Sequence, residues 1–312
     1  MIKWGIVGAG IVSEKFVRAA NFVQDSIVYA VASKTNADKF AQKHNVPVIY
    51  KDYNDLANDK EIDAVYVSTI NPMHYEIVMM MLNKNKAVLC EKPAGMCANE
   101  TYAMAELANR KQVFFMEAMW TKFLPAILHL KEIIHLIGCI RRVKAEFCIN
   151  VEAGITHRLF NKSLGGGALL DMGIYPLSFI HMLLGVPDEI NPTLYVGEYG
   201  VDEIGEITLL YKNAIAQASF ATRCDGLDYA VIYGDKGKIE IPNFHKATRL
   251  NIKLSSGVSK EYVTSHLLNG FEFEIQEAVK CIKNGEIESK IHTHNDCIEI
   301  SKIIDYAYRK II

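Results

Sequence analysis

The chain has 312 residues, half of them apolar and 22% charged, a globular composition that excludes a disordered polypeptide and suits about two domains. Lys and Arg number 34 against 36 Asp and Glu, a net charge of -2, so there is no cationic surplus to neutralise nucleic-acid phosphates. The apolar run Ile77–Leu82 is far too short to cross a bilayer, and Met1 leads straight into Trp4-Gly5-Ile6-Val7-Gly8 without a cleavage-site pattern, so a soluble, cytoplasmic protein is expected.

Residues 2–7 read as a strand, and Val12 to Val23 as a helix with Phe16, Ala19, Ala20 and Val23 on one face. Strands follow at 27–32, 64–68, 87–90 and 113–116. Helical patterns fall between them around Ile77 to Leu82 and over 99–111. Strands alternating with helices imply right-handed β-α-β units and a parallel sheet covered on both faces. Beyond Trp120 the pattern changes. Val143, Ala145, Phe147, Ile149 and Val151 are apolar at every second position, the mark of a half-buried antiparallel strand. Further strands are expected at 193–199, 204–211, 214–222, 227–234, 238–241, 248–254 and 260–264, and helices at 122–137, 167–184, 271–284 and 295–310. Seven cysteines without C-x-x-C spacing read as buried, reduced thiols. The fold class is therefore α/β: a parallel Rossmann sheet over 1–118, then an α/β domain over 119–312 built on a large, open, mainly antiparallel sheet.

Gly8-Ala9-Gly10-Ile11-Val12-Ser13 stands between the first strand and the first helix. The first glycine permits a tight turn, and the second lets backbone approach a pyrophosphate facing the helix N-terminus. Ser13 occupies the position of a third glycine. Glycines also serve ordinary turns, and the strand before and helix after are what favour a dinucleotide. Where an NAD enzyme presents an acid to the ribose, the second strand ends in Ala32-Ser33-Lys34. Ser33 and Lys34 suit the 2′-phosphate of NADP instead, the bland alternative being a solvated loop lysine. The third strand ends in Ser68-Thr69-Ile70-Asn71-Pro72-Met73-His74 and the fourth in Cys90-Glu91-Lys92-Pro93, both on the carboxyl edge where open α/β sheets bind ligands.

The glycine loop, Glu91-Lys92-Pro93, Glu117-Ala118-Met119-Trp120 and Gly165-Gly166-Gly167-Ala168-Leu169-Leu170-Asp171-Met172-Gly173-Ile174-Tyr175-Pro176 together resemble the Gfo/Idh/MocA oxidoreductases over the full length. Within that family the resemblance is to the branch of dimeric dihydrodiol and D-xylose dehydrogenases. It implies a cofactor, NADP with NAD as the alternative, held by Gly8, Gly10, Ile11, Val12, Ser33, Lys34, Thr69, Asn71, His74, Glu91, Lys92 and Trp120. It also implies Lys92 at the nicotinamide, with Asp171 and Tyr175 facing it, and a homodimer made by the outer face of the second sheet. Asp171 and Tyr175 are four apart, so on an α-helix they share a face. Tyrosine is a poor base unless a cation such as Lys92 stabilises its phenolate. Trp120, Arg158 and Tyr175 are the expected substrate contacts, with His157 beside them. His292, His294 and Asp296 look like metal ligands, but Thr293 to Asp296 has capping-box spacing, and no metal is expected. The expected activity is hydride transfer between a secondary alcohol of a sugar or trans-dihydrodiol and the nicotinamide. A non-catalytic nucleotide sensor and an NAD-dependent glycoside hydrolase are the competing readings.

Overall fold

The computed structural model describes residues 1–310. The chain forms two compact units: Met1–Trp120 with Leu267–Ile298, and Thr121–His266 with the residues from Glu299 onward. A single cut near residue 118 therefore does not describe the packing, because 267–298 returns to the first unit.

The first unit opens β1 (Ile2–Val7), α1 (Ile11–Phe22), β2 (Ser26–Ala32), α2 (Ala37–His44), β3 (Val48–Tyr50), α3 (Tyr53–Asn58), β4 (Ala64–Val67), α4 (His74–Asn83), β5 (Ala87–Glu91), α5 (Ala98–Lys111) and β6 (Phe115–Ala118). The six strands are all parallel, in the order β3-β2-β1-β4-β5-β6. The order reverses between β1 and β4, so their carboxyl ends border the crevice where such sheets take ligands. α2, β3 and α3 have no counterpart in the sequence expectation. β3 is a three-residue edge strand and α3 a six-residue helix capped by Asp52, too short for any period to show. Trp4 packs edge-on to Phe16, which stacks on Tyr66 at 3.8 Å, and Trp4 Nε1 donates to Ser26 Oγ.

The second unit begins with a tight 3-10 turn and α6 (Pro125–Ile133), then β7 (Ile140–Cys148). A glycine-rich loop leads through a π-helical turn, Leu169–Gly173, into α7 (Ile174–Leu184). β8 (Glu189–Val196), β9 (Asp202–Tyr211), β10 (Ala214–Ala221), β11 (Asp228–Gly234), β12 (Gly237–Pro242), β13 (Arg249–Leu254) and β14 (Ser259–Val263) follow. They form an eight-stranded sheet, β14-β13-β12-β11-β7-β10-β9-β8, antiparallel except where β7 runs parallel to β10. Val143, Ala145, Phe147, Ala216, Ala218, Phe220, Ile207, Leu209, Ala230 and Ile232 lie buried on one face, against which α7 packs. The alternating apolar set is thus covered within the unit itself. The opposite face carries Arg142, Lys144, Glu206, Gln217 and Ser219, with Ile204, Ile215 and Tyr233 exposed among them. Lys162–Leu184, rather than 77–82, is the described stretch long and apolar enough to cross a membrane, but 83% of its window is buried as the core of this unit.

The chain closes with α8 (Phe271–Lys283), which packs on α1, and α9 (His294–Arg309). All seven cysteines are free, but only Cys90, Cys281 and Cys297 are buried; Cys139 and Cys224 are exposed on loops.

Glu274 of α8 is fully buried, and neither carboxyl oxygen has a hydrogen-bond partner among the described residues. Burial, reinforced by the charge of Glu91, pushes its pKa well above the ordinary value. The folded state therefore keeps a proton that the unfolded state releases, and stability falls as pH rises through the unfolded carboxyl's range. Glu274→Gln removes the titration. Its stability relative to wild type is expected to improve from pH 5 to pH 8, by at most about 1.4 kcal/mol per pH unit, in urea unfolding at both pH values. A difference independent of pH contradicts the assignment.

Candidate active site

In the first unit the carboxyl edge gathers the loops that follow β1, β2, β4 and β5. Gly8 follows β1 at φ +103°, and a Cβ there would lie 2.7 Å from the Ser68 carbonyl oxygen, so both conformation and space demand glycine. Gly10 has open space where a side chain would stand, leaving its backbone accessible. Ser13 does what a third glycine cannot. Its buried hydroxyl lies 2.8 Å from the Gly8 carbonyl and 2.7 Å from Ser68 Oγ, tying the loop to the end of β4. Ile11 and Val12 are exposed at the opening of α1. Beyond β2, Ser33 is half-buried, and the exposed Lys34 holds its ammonium 5.9 Å from the Tyr53 ring centre. No acid follows the end of β2 before Asp38.

Thr69 and Asn71 lie after β4, and Glu91 and Lys92 end β5 ahead of a cis Pro93. Tyr66 donates its hydroxyl to Glu91. His74 is wholly buried, with Nδ1 2.8 Å from the Pro93 carbonyl and Nε2 3.1 Å from the Thr69 carbonyl. Burial pushes its pKa down, so the ring is neutral and donates to one carbonyl at a time. His74 is thereby a fastening between the β4 and β5 loops rather than a side chain presented to a ligand. Trp120 stacks on Phe271 at 5.4 Å.

His292, His294 and Asp296, which look like metal ligands in the sequence, have separate partners. Thr293 and Asp296 exchange reciprocal hydrogen bonds of 3.1 Å as a capping box for α9. His294 Nε2 lies 2.9 Å from the Phe115 carbonyl. His292 Nε2 instead meets Glu117 Oε2 at 2.9 Å and Cys297 Sγ at 3.3 Å, while Glu117 Oε1 accepts from the Ala94 amide. These three side chains are buried and engage one another, closing a hydrogen-bonded knot behind the Lys92 loop. An acid inside the buried strand β6 was the sequence signal for it.

In the second unit the glycine run has strict steric reasons. A Cβ on Gly166 would lie 2.5 Å from the Arg158 carbonyl, and one on Gly167, at φ +133°, 2.4 Å from Asp202 Oδ1. Asp202 Oδ2 accepts from the Leu169 amide at 2.5 Å, and Oδ1 accepts from the Tyr308 hydroxyl at 2.9 Å. The helix so started is π-helical through Gly173, not α-helical. The four-residue spacing of Asp171 and Tyr175 thus crosses an i→i+5 turn, and α-helical face-sharing does not apply; such turns recur at functional sites. Asp171 is buried and receives Arg158 Nη2 on both oxygens, at 3.2 and 3.0 Å. Arg158 is thus engaged with Asp171. His157 caps its own short turn, accepting from the Leu159 amide. The buried Tyr175 ring stands edge-on to Phe147, at 5.5 Å, and to His245, at 6.0 Å. His245 went unnoticed in the sequence because nothing in Asn243-Phe244-His245-Lys246 distinguishes it from a turn. Lys92 belongs to the first unit, and Asp171 and Tyr175 to the second.

Residues 2–119 match the oxidoreductase family with an NAD-binding Rossmann fold, GFO_IDH_MocA, and residues 127–240 match the GFO/IDH/MocA C-terminal domain. The chain is 34% identical to trans-1,2-dihydrobenzene-1,2-diol dehydrogenase of Danio rerio, across 99% of this chain and 97% of that protein. It is 30% identical to scyllo-inositol 2-dehydrogenase (NADP(+)) IolU of Bacillus subtilis, with the same coverage of each. Among solved structures, the aldose-aldose oxidoreductase of Caulobacter crescentus complexed with glycerol superposes with a TM-score of 0.89 at 20% identity, over 99% of this chain and 96% of that one, showing the same fold. With the glycine loop on the carboxyl edge of a doubly wound sheet and full-length relatives above 30% identity, the chain belongs to the Gfo/Idh/MocA family of NAD(P)-binding oxidoreductases.

Proposed function

We propose that the protein is an NADP-preferring dehydrogenase oxidising a secondary alcohol on a sugar, polyol or trans-dihydrodiol. The observation that carries this reading is Tyr175, a phenol packed edge-on to Phe147 and His245 and following directly on the glycine-shaped π turn that holds the Arg158–Asp171 pair. The relatives' names, one a diol and one an inositol dehydrogenase, support the substrate class.

The first unit fits a dinucleotide: the tight Gly8 turn and the open space at Gly10 put the N-terminus of α1 where it can receive a pyrophosphate. Bound there, the nicotinamide accepts a hydride. Gly8, Gly10, Ile11 and Val12 hold the dinucleotide, Ser33 and Lys34 its 2′-phosphate, and Thr69, Asn71, Glu91 and Trp120 border the nicotinamide side. Tyr175 takes the substrate hydroxyl proton, and Lys92 supplies the positive charge that makes a phenolate accessible near neutral pH. Asp171, held by Arg158, orients the alcohol through its carboxylate. The protein acts as a homodimer joined through the outer face of the second sheet, where Ile204, Ile215 and Tyr233 are exposed.

NADP is expected to bind more tightly than NAD, and Lys34→Ala to narrow the gap by ~1–2 kcal/mol in fluorescence titration. Equal affinities in the wild type would sink the preference.

Tyr175→Phe is expected to lower turnover by ~10²–10⁴-fold with NADP affinity unchanged, and Lys92→Ala by at least as much. Because both act on one proton, the losses should not add in the double variant. NADPH formation with scyllo-inositol and trans-1,2-dihydrobenzene-1,2-diol is the assay. Full activity in Tyr175→Phe assigns the base elsewhere. NADP binding without net reduction by any diol or sugar favours the sensor or the hydrolase.

Light scattering at micromolar concentration should give the mass of at least two chains, and a monomer mass contradicts the dimer.

A further inference from the structure

The second unit contains a histidine–carboxylate pair that the reading above does not use. His245 lies on the short turn Phe244–Lys246 between β12 and β13. Its Nδ1 is 2.6 Å from Asp228 Oδ2, its backbone amide donates to Asp228 Oδ1 at 3.3 Å, and its carbonyl accepts from the Thr121 hydroxyl at 2.7 Å. The imidazole stacks on Phe147 at 4.2 Å and 17°, and the Tyr175 ring meets it edge-on, 6.0 Å between centres and 68° between planes. Three independent contacts thus fix the ring, and Asp228 selects the tautomer with hydrogen on Nδ1 and a lone pair on Nε2. Both His245 and Asp228 keep about a sixth of their side-chain surface in solvent (17% each), so the pair joins the neighbourhood of the phenol to water.

We propose that His245, oriented by Asp228, is the proton relay that carries to solvent the proton Tyr175 takes from the substrate alcohol. The step balances. The substrate O–H bond breaks as its proton joins the Tyr175 oxygen, and the carbon-bound hydrogen leaves as hydride to the nicotinamide. The phenol then passes its proton to His245 Nε2, forming an imidazolium beside the Asp228 carboxylate. Water takes that proton and restores the neutral ring. The groups that titrate or carry charge on the surrounding elements are Asp228 on β11, Tyr175 on α7, Asp171 on the turn before it, Glu146 on β7, Lys122 after Thr121, and Lys246 on the same turn. Asp228 is hydrogen-bonded to the imidazole and Tyr175 is in ring contact with it. His245 is a positioning and relay residue acting through Tyr175, and this proposal rests on the dehydrogenase reading.

The test uses the full chain with NADP, with scyllo-inositol and trans-1,2-dihydrobenzene-1,2-diol as probes. His245→Ala should lose roughly 10- to 100-fold in kcat with little change in NADP affinity, and added imidazole should restore part of the loss. His245→Gln, which keeps bulk without a proton-accepting nitrogen, should be as slow but should not be rescued. Asp228→Asn should displace the pH profile of kcat rather than raise KM. Wild-type kcat and an unchanged pH profile in both His245 variants overturn the relay. So does a slow His245→Ala that imidazole leaves slow, because a loss of packing alone gives that result. If the wild type binds NADP yet turns over neither probe, the dehydrogenase reading fails first and takes the relay with it.

Discussion

One buried carboxylate sets the geometry of the second unit. Asp202 stands where the glycine run meets a helix N-terminus, and burial pushes its pKa above the ordinary carboxylate value, although the Leu169 amide and the Tyr308 hydroxyl oppose that rise. Those two bonds fix where the helix begins. Gly167 must lack a side chain so that Asp202 can reach that amide. Gly173 must lack one because a Cβ would lie 2.8 Å from the Phe220 ring of β10. Between them the backbone has room for a π turn, and from that turn Asp171 and Tyr175 take their directions. Removing the carboxylate would leave the helix without its cap and a phenol without its acceptor, so the glycines and the acid function as one unit.

Buried acids in this molecule show how donor supply decides charge. Glu272 and Glu274 are two residues apart on α8, and both are buried. Burial pushes both up, but Glu272 accepts from the amides of Leu267, Leu268, Asn269 and Gly270, which outweigh that penalty and leave its pKa lowered. Glu274 has no donor among the described residues and keeps its proton. The same helix therefore carries an anion at its N-terminus, where the helix dipole favours one, and a neutral acid two residues further in. Neutrality at Glu274 spares Glu91, the residue before Lys92, a second buried negative charge next to it.

β7, β10, α1 and α8 were legible because each is long enough for its period to show, 2 in the strands and 3.6 in the helices, whereas β1, β4, β5 and β6 were legible as short apolar runs between helices. The elements α2, β3 and α3 were not, since eight, three and six residues carry too little pattern. The glycine loop and Lys92 were found through chemistry that depends on local sequence. His74 was expected from the sequence among the cofactor contacts, yet its part as a fastening depends on two carbonyls, and backbone partners leave no mark in a sequence. The π turn was hidden for a related reason: its cause, Asp202, lies in a strand beyond the helix. His245 was hidden because its partner Asp228 comes opposite Phe147 only through the register of β11 on β7, which local sequence does not show.

The first unit is discontinuous in the chain, and this dictates an order of events during synthesis. Residues 1–120 carry all six parallel strands, but α8 and the Ile287 carbonyl that accepts from Phe115 leave the ribosome only after 121–266 has been made. At 5–20 residues per second that interval is roughly 7 to 30 seconds. Throughout it, the surface of α1 that α8 covers has no partner, and Trp120 lacks Phe271. The larger sheet of the second unit, by contrast, emerges without interruption from β7 to β14. Its folding is thus free to run ahead of the first unit's completion, and the nucleotide-binding half, although translated first, is the half that waits.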